Sequence, residues 1–218
     1  AVSNASLSYE KLNDSATNLA AGTTSYLAGK AITIDDTNNA AATATELNTI
    51  QEKMGRSGSV TYAKLTDSAT NLVVNIADIV AGVAVIITDT GVNTPATVSE
   101  LNSLQSAVSS AGNGASLTYT KLRDTSQAIR DNVDTNGDIT DVAGIAVTVT
   151  TTSDVSQYSS ILTAVGNNGS VAGAVSDSIG NLTGNIDLSG ATSVTAVIVD
   201  GTKDLTGTTL DSEVTILD

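Results

Sequence analysis

The chain has 218 residues, a formal net charge of −14 and a hydrophobic fraction of 40%, which allows one large domain or a short array of small ones around a packed interior. Leu, Ile and Val make up about a quarter of it, above the level of roughly 20% below which disorder is the better expectation. It holds no His, Cys, Trp or Phe, which excludes disulfides, zinc fingers, thiol chemistry and a histidine general base.

The acidity argues against nucleic acid, whose phosphates call for clustered Lys and Arg, and against anionic membrane surfaces. Residues 1–130 carry eight basic and eleven acidic side chains, whereas 131–218 carry one basic and twelve acidic, so the negative charge belongs to the C-terminal part. No apolar run reaches the length of a membrane span. Ala1-Val2-Ser3-Asn4 lacks the basic and apolar regions of a signal peptide and reads as a mature or internal fragment. The lack of Cys leaves the compartment open.

In chain order the first block is Ser6-Leu-Ser-Tyr9-Glu-Lys11-Leu12-Asn-Asp14-Ser-Ala-Thr-Asn18-Leu19. It is followed by a β-branched run, Ala28-Gly29-Lys-Ala-Ile-Thr-Ile34, that reads as a strand after a glycine turn. Thr43-Ala-Thr-Glu46 then has capping-box spacing. The helix it opens places Leu47, Ile50 and Met54 on one face and stops at Gly55.

The series returns as Ser59 to Leu72, with strand Ala81–Ile87, capping box Thr97-Val-Ser-Glu100, helix face Leu101, Leu104 and Val108, and stop at Gly112. It returns again as Ser116 to Asp124, strand Ala143–Val149, Asp154-Val-Ser-Gln157, helix face Tyr158, Ile161 and Val165, and stop at Gly166. Ala174 to Leu182 is a fainter fourth copy. The repeated Asp14, Asp67, Asp124 and Asp177 are 53, 57 and 53 residues apart. The units are therefore 1–58, 59–115 and 116–171, with 172–218 a degenerate repeat and β-rich cap.

The first half of each unit admits two readings. Asp67 caps a helix carrying Leu72, Val73, Ile76 and Val80 after a strand from Val60 to Leu65, or the helix starts nearer Tyr62. Strand then helix is preferred because it makes the two halves alike, and Thr66-Asp67-Ser68-x-x-Asn71 echoes Thr88-Asp89-Thr90-x-x-Asn93, hinting at a unit of about half the length. One strand and one short helix cannot bury an apolar face alone and must stack. The expected fold is an α/β repeat solenoid with a parallel sheet and a β-rich C-terminal segment; the alternative is an all-β solenoid. Beyond residue 183, Thr192–Val199 and Asp211–Ile216 are strand-like.

The block Lys64-Leu-Thr-Asp-Ser-Ala-Thr-Asn-Leu72, with Val83-Ala-Val-Ile-Ile-Thr-Asp89 after it, resembles the tandem repeats of very large bacterial surface proteins. Similar repeats occur in structural proteins of phages infecting marine cyanobacteria. The resemblance covers residues 6 to about 182 and implies a non-enzymatic building block displayed outside a cell or on a particle. The third copy departs from it at Ser126-Gln-Ala-Ile-Arg130, where a different helix packing is expected.

The densest oxygen cluster is the 131–141 insertion. Asn132, Asp134, Asn136, Gly137 and Ile139 match positions 1, 3, 5, 6 and 8 of an EF-hand loop, with Asp138 and Asp141 beside them and Ala143 where the bidentate Glu belongs. Calcium is the cofactor this set would take, against a solvated Asp- and Gly-rich turn. The repeated Asp residues read as helix caps or as a ladder of ligands. Tyr9, Tyr62 and Tyr119 read as core or as a stacked ladder, and Thr148, Thr150 and Thr152 as an exposed strand face of the kind that binds ice or carbohydrate. No Gly-x-Ser-x-Gly, Walker or Gly-x-Gly-x-x-Gly motif is present, so no enzyme is expected.

The expected role is a structural repeat module of an extracellular protein, such as an adhesin stalk, surface layer or filament subunit. It would associate with itself or with neighbouring repeats, without nucleic acid or membrane insertion. The alternatives are an exterior phage component, on the virion, and a calcium-dependent carbohydrate- or ice-binding module.

Overall fold

The structure, a computed structural model, describes residues 9–37, 40–88, 95–133, 142–182, 187–188 and 190–197. It divides into two compact units, Ala1–Asn93 with Ser103–Tyr119, and Thr94–Asn102 with Thr120–Asp218.

In the first unit, β1 (Lys11–Asp14) is followed by the short helices α1 (Ala16–Ala21) and α2 (Thr24–Leu27), then β2 (Ala31–Ile34). The two-residue β3 (Ala42–Thr43) leads into α3 (Ala44–Met54), and β4 (Ser59–Thr61) closes the round. The next round is β5 (Lys64–Asp67), α4 (Ala69–Val74), a 3-10 turn at Ile76–Asp78, β6 (Ala84–Ile87), α5 (Val98–Ala111) and β7 (Ser116–Thr118). The second unit holds β8 (Lys121–Asp124), α6 (Ser126–Val133), β9 (Ala146–Val149), α7 (Val155–Val165), the nine-residue β10 (Ser170–Ser178), α8 (Ile179–Leu182) and β11 (Ala191–Val197). The first turn of α5 belongs to this unit and the rest to the other.

Among the described residues these strands make three sheets, ordered β1-β2-β4, β3-β5-β6-β7 and β8-β9-β10-β11. Every pairing is parallel, as expected where each connection between paired neighbours crosses over through a helix. The registers coincide: Leu12 pairs Ile32, which pairs Val60; Leu65 pairs Val85, which pairs Leu117; Leu122 pairs Val147, which pairs Val171. The fold is therefore mixed α/β with parallel sheets, and no sheet closes into a barrel among the described residues.

One face of each sheet is core. Ile32, Ile34, Val85, Ile87, Val147 and Val149 are buried while Thr33 and Thr148 between them are exposed, the period-2 pattern of a half-covered sheet. The long helices supply the other wall, with Leu47, Ile50 and Met54 of α3, Leu101, Leu104 and Val108 of α5, and Tyr158, Ile161 and Val165 of α7 all buried. Each such side chain contributes about 1.5–3 kcal/mol on burial. Gly55, Gly112 and Gly166 follow the helices at φ of +71°, +63° and +68°, a left-handed turn that glycine adopts without a Cβ clash.

Strand then helix holds in the first half of each unit, but the helix is shorter than its apolar spacing suggests. α4 stops at Val74, and Asn75 turns its own Nδ2 back onto Asn71 O at 2.8 Å, satisfying a terminal carbonyl. Ile79 is then buried and Val80 is 46% exposed, the reverse of the helical expectation. The third copy, expected to pack differently, places Ile129 where Leu72 sits, at 1% exposure. β11 coincides with most of the strand expected over 192–199; the 211–216 strand lies outside the described residues.

A size complementarity links each helix end to the strand after it. A Cβ on Gly58 would lie 2.0 Å from Met54 Cγ, and one on Gly169 would lie 2.4 Å from Val165 Cγ1. The second copy has Ala115 at this position, four residues after the smaller Ala111. Gly169→Ala should therefore cost about 1–3 kcal/mol in urea unfolding, and Val165→Ala in that background should cost less than it does in the native chain.

Candidate functional site

The feature built with most care is the aspartate that ends the first strand of each round. β5 holds Asp67 where its Oδ2 accepts the amide of Ala44, the first residue of α3, at 3.2 Å. Oδ1 of the same carboxylate accepts the amide of Ser68 at 2.8 Å and Nδ2 of Asn71 at 2.8 Å. Asp124 repeats this with Val98, the first residue of α5, at 3.0 Å and Thr125 at 2.8 Å. Asp177 repeats it with Val155, the first residue of α7, at 3.0 Å, and with Ser178 and Asn181 at 2.7 and 2.8 Å. One oxygen serves the helix of the round before and the other the turn of its own round.

This corrects the capping expectation. The cap of each short helix is the next residue: Ser15, Ser68, Thr125 and Ser178 accept from Asn18, Asn71, Ala128 and Asn181 at 3.2, 3.3, 3.1 and 3.3 Å. A hydroxyl one place later reaches its own N3 amide, and this frees the carboxylate for the neighbour. A negative acceptor at the positive end of a long helix is favoured by the dipole as well as by the bond.

The helix starts are closed a second time by the expected capping boxes. Thr43 and Glu46 exchange bonds of 3.0 and 3.1 Å, Thr97 and Glu100 of 2.9 and 3.3 Å, and Asp154 and Gln157 of 3.2 and 2.7 Å. The third member reaches further: Thr17 Oγ1 donates to Glu46 at 2.8 Å, and Ser126 Oγ to Gln157 at 3.3 Å. Burial pushes the Glu46 carboxyl up, yet the Thr43 amide and the Thr17 and Thr43 hydroxyls together hold it below its ordinary value. Asp177 is held down by the Asn181 amide first, then by the amides of Val155 and Ser178.

Two further contacts went unread in the sequence. Asn48 Nδ2 donates to Asn75 Oδ1 at 2.6 Å and Asn102 Nδ2 to Asn132 Oδ1 at 2.8 Å, joining each long helix to the end of the next short one. Both acceptors lie eight residues after the repeated Asp, a spacing visible in the sequence. The buried Asp36 accepts the amides of Ala63 and Lys64 at 2.9 and 2.6 Å, fixing the turn between β4 and β5. Its signal was the Asp-Thr echo at Asp89-Thr90.

Of the proposed calcium ligands, Asn132 lies in α6, its Oδ1 accepting from Asn102 and its Nδ2 donating to Ala128 O at 2.8 Å. Asp134, Asn136, Asp138 and Asp141 lie outside the described residues. Among the described residues no cluster of three or more carboxylates could hold a metal ion. Thr148 is exposed on β9, whereas Thr150 and Thr152 lie beyond its end, so the three share no strand. An exposed polar row runs instead across strands, through Asn13, Thr33 and Thr61.

The repeated tyrosines are half-buried. Tyr9 OH donates to Tyr26 O at 2.7 Å and Tyr62 OH to Asp78 O, each pinning the segment after the short helix. Burial and the Asp78 carboxylate push the Tyr62 hydroxyl up to about 12. No helix among the described residues is long and apolar enough to cross a membrane. No protein-family model, curated protein or solved structure matches the chain.

Asp124→Ala should lower unfolding free energy by about 1.5–3 kcal/mol in urea titrations, since it strips a charged acceptor from two backbone amides. The joints also set an acid limit. Asp177 and Glu46 titrate lower when folded, so their contribution is fully present above their ordinary values of 3.8 and 4.5 and is lost as pH falls through and below that range. Chemical denaturation followed downward from neutral pH should show this decline, and Asp177→Asn should flatten it.

Proposed function

We propose that the chain is a structural repeat module, a stacked strand-helix solenoid that works by packing rather than by chemistry. Its setting is the exterior of a cell, in an adhesin stalk, surface layer or filament. The observation that carries this reading is the aspartate joint, which recurs at Asp67, Asp124 and Asp177 with the same partners each time. A carboxylate held in that way is spent on structure. Its recurrence is what an array needs when stability is shared between nearest neighbours.

The inventory supports the same reading. A chain without His or Cys has little with which to run acid–base or nucleophilic chemistry. The resemblance of Lys64–Leu72 to surface-protein repeats supports the exterior setting, and the net charge of −14 favours solubility over contact with nucleic acid. The partners are then neighbouring repeats or further copies of the same module.

Native-state hydrogen exchange tests the stacking. In an array Asp124→Ala should speed exchange at Val98 and through 121–133 while leaving 31–34 slow; uniform acceleration would instead mark one cooperative globule. Antibody labelling of intact source cells or particles tests the location, and exterior label is the expected result.

A further inference from the structure

Leu65, Leu122 and Val175 are each covered from outside by a segment of the preceding round. Ala42 of β3 pairs with Leu65, Ala96 bridges Leu122 and Ser153 bridges Val175. All three side chains are 0% exposed. At the same register of the first sheet, β1 is the edge strand, Leu12 is partly exposed and Asp14 is exposed. Oδ1 of Asp14 accepts from Ser15 and Asn18 at 2.7 and 2.8 Å, as in the other copies. Among the described residues its Oδ2, the oxygen that elsewhere takes a helix amide, accepts no hydrogen bond. Beside it lies a cleft of 460 Å³ lined by Tyr9, Leu12, Asp14, Leu19, Tyr26 and Leu27, with Tyr26 57% exposed.

We propose that this face of β1 is a docking surface for the capped long helix of one further repeat, lying ahead of Ser6 on the same polypeptide, whose first helical amide binds Asp14 Oδ2. The proposal rests on the stacked-repeat reading above and adds which end is open and what fills it. Two observations choose the occupant. Ser6-Leu7-Ser8-Tyr9 repeats Ser59-Val60-Thr61-Tyr62 and Ser116-Leu117-Thr118-Tyr119, and both later copies of this motif directly follow a long helix, α3 and α5. A second copy of this chain is the poorer fit, because the first amides of its own α3, α5 and α7 already serve Asp67, Asp124 and Asp177.

The test places a duplicate of Gly29–Gly58 directly before Ser6 in the full chain and, in a second variant, a duplicate of Gly82–Ala115. The expected result is slower amide exchange along Leu12–Asp14, by roughly tenfold or more. The thermal midpoint should rise, and Asp14→Ala should cost the extended chain about 2–4 °C more than it costs the parent. Unchanged exchange at β1 with both duplicates, or an equal cost of Asp14→Ala in both chains, overturns the proposal. So does self-association of the parent that Leu12→Asp abolishes, which would seat a second copy there. Asp67→Ala in the parent separates the two ideas. If it lowers the midpoint while the duplicates protect nothing, the docking proposal alone fails; if it changes nothing, the stacking reading fails and takes this proposal with it.

Discussion

A carboxylate has two oxygens, and the structure depends on their being given to different neighbours. At Asp67, Asp124 and Asp177 one oxygen closes the turn into a short helix and the other closes the start of a long helix from the round before. Alanine would leave both amides without their acceptor, and an asparagine side chain has a single acceptor oxygen to divide between them. The charge adds attraction to the positive end of the helix. Because the aspartate is the last residue of a paired strand, sheet register decides where the helix starts. Strand pairing and helix position are thus coupled through one side chain.

Around that joint the packing is economical. Short strands present two or so buried positions each, and short helices bury three or four, so the space between them suits β-branched and leucine side chains better than large aromatics. The exception is Tyr158, which takes the place of Leu47 and Leu101. It fits because its hydroxyl donates to Val171 O at 3.1 Å and because Gly190 lies alongside, where a Cβ would come within 3.0 Å of that hydroxyl. The pairs Met54 with Gly58 and Val165 with Gly169, against Ala111 with Ala115, follow the same rule of one large and one small residue. Volume is conserved locally, copy by copy, as close packing requires.

The polar residues are committed in the same way. Asparagines that could pass for ligands brace helix to helix at Asn48–Asn75 and Asn102–Asn132. Tyrosines pin loops, and the buried Asp36 holds a turn. The side chains with functional potential in the described residues are thus largely absorbed by hydrogen bonds of the framework. This is why a structural role is the reading with most support. It also explains why Asp14, which has the same local partners but a free second oxygen, stands out.

Much of the local structure was legible in the sequence. The three capping boxes, the glycine stops and the buried helix faces rest on contacts within a few residues, and such contacts leave a spacing in the chain. The approximate place of each strand was legible for the same reason, as was the repeat itself. The sequence could not show that the repeated aspartate caps a helix 22 to 26 residues before it, that Asn132 belongs to a helix-bracing pair, or that the exposed threonines line up across strands. Those facts depend on parallel register and on which round lies against which. Burial of Leu65 and exposure of Leu12 in the same motif make the point: identical local sequence, with a neighbour present in one case and absent among the described residues in the other. The sequence by itself determined the units and their caps; the tertiary structure decided the joints, because a joint is a hydrogen bond between segments whose proximity exists after the strands have paired.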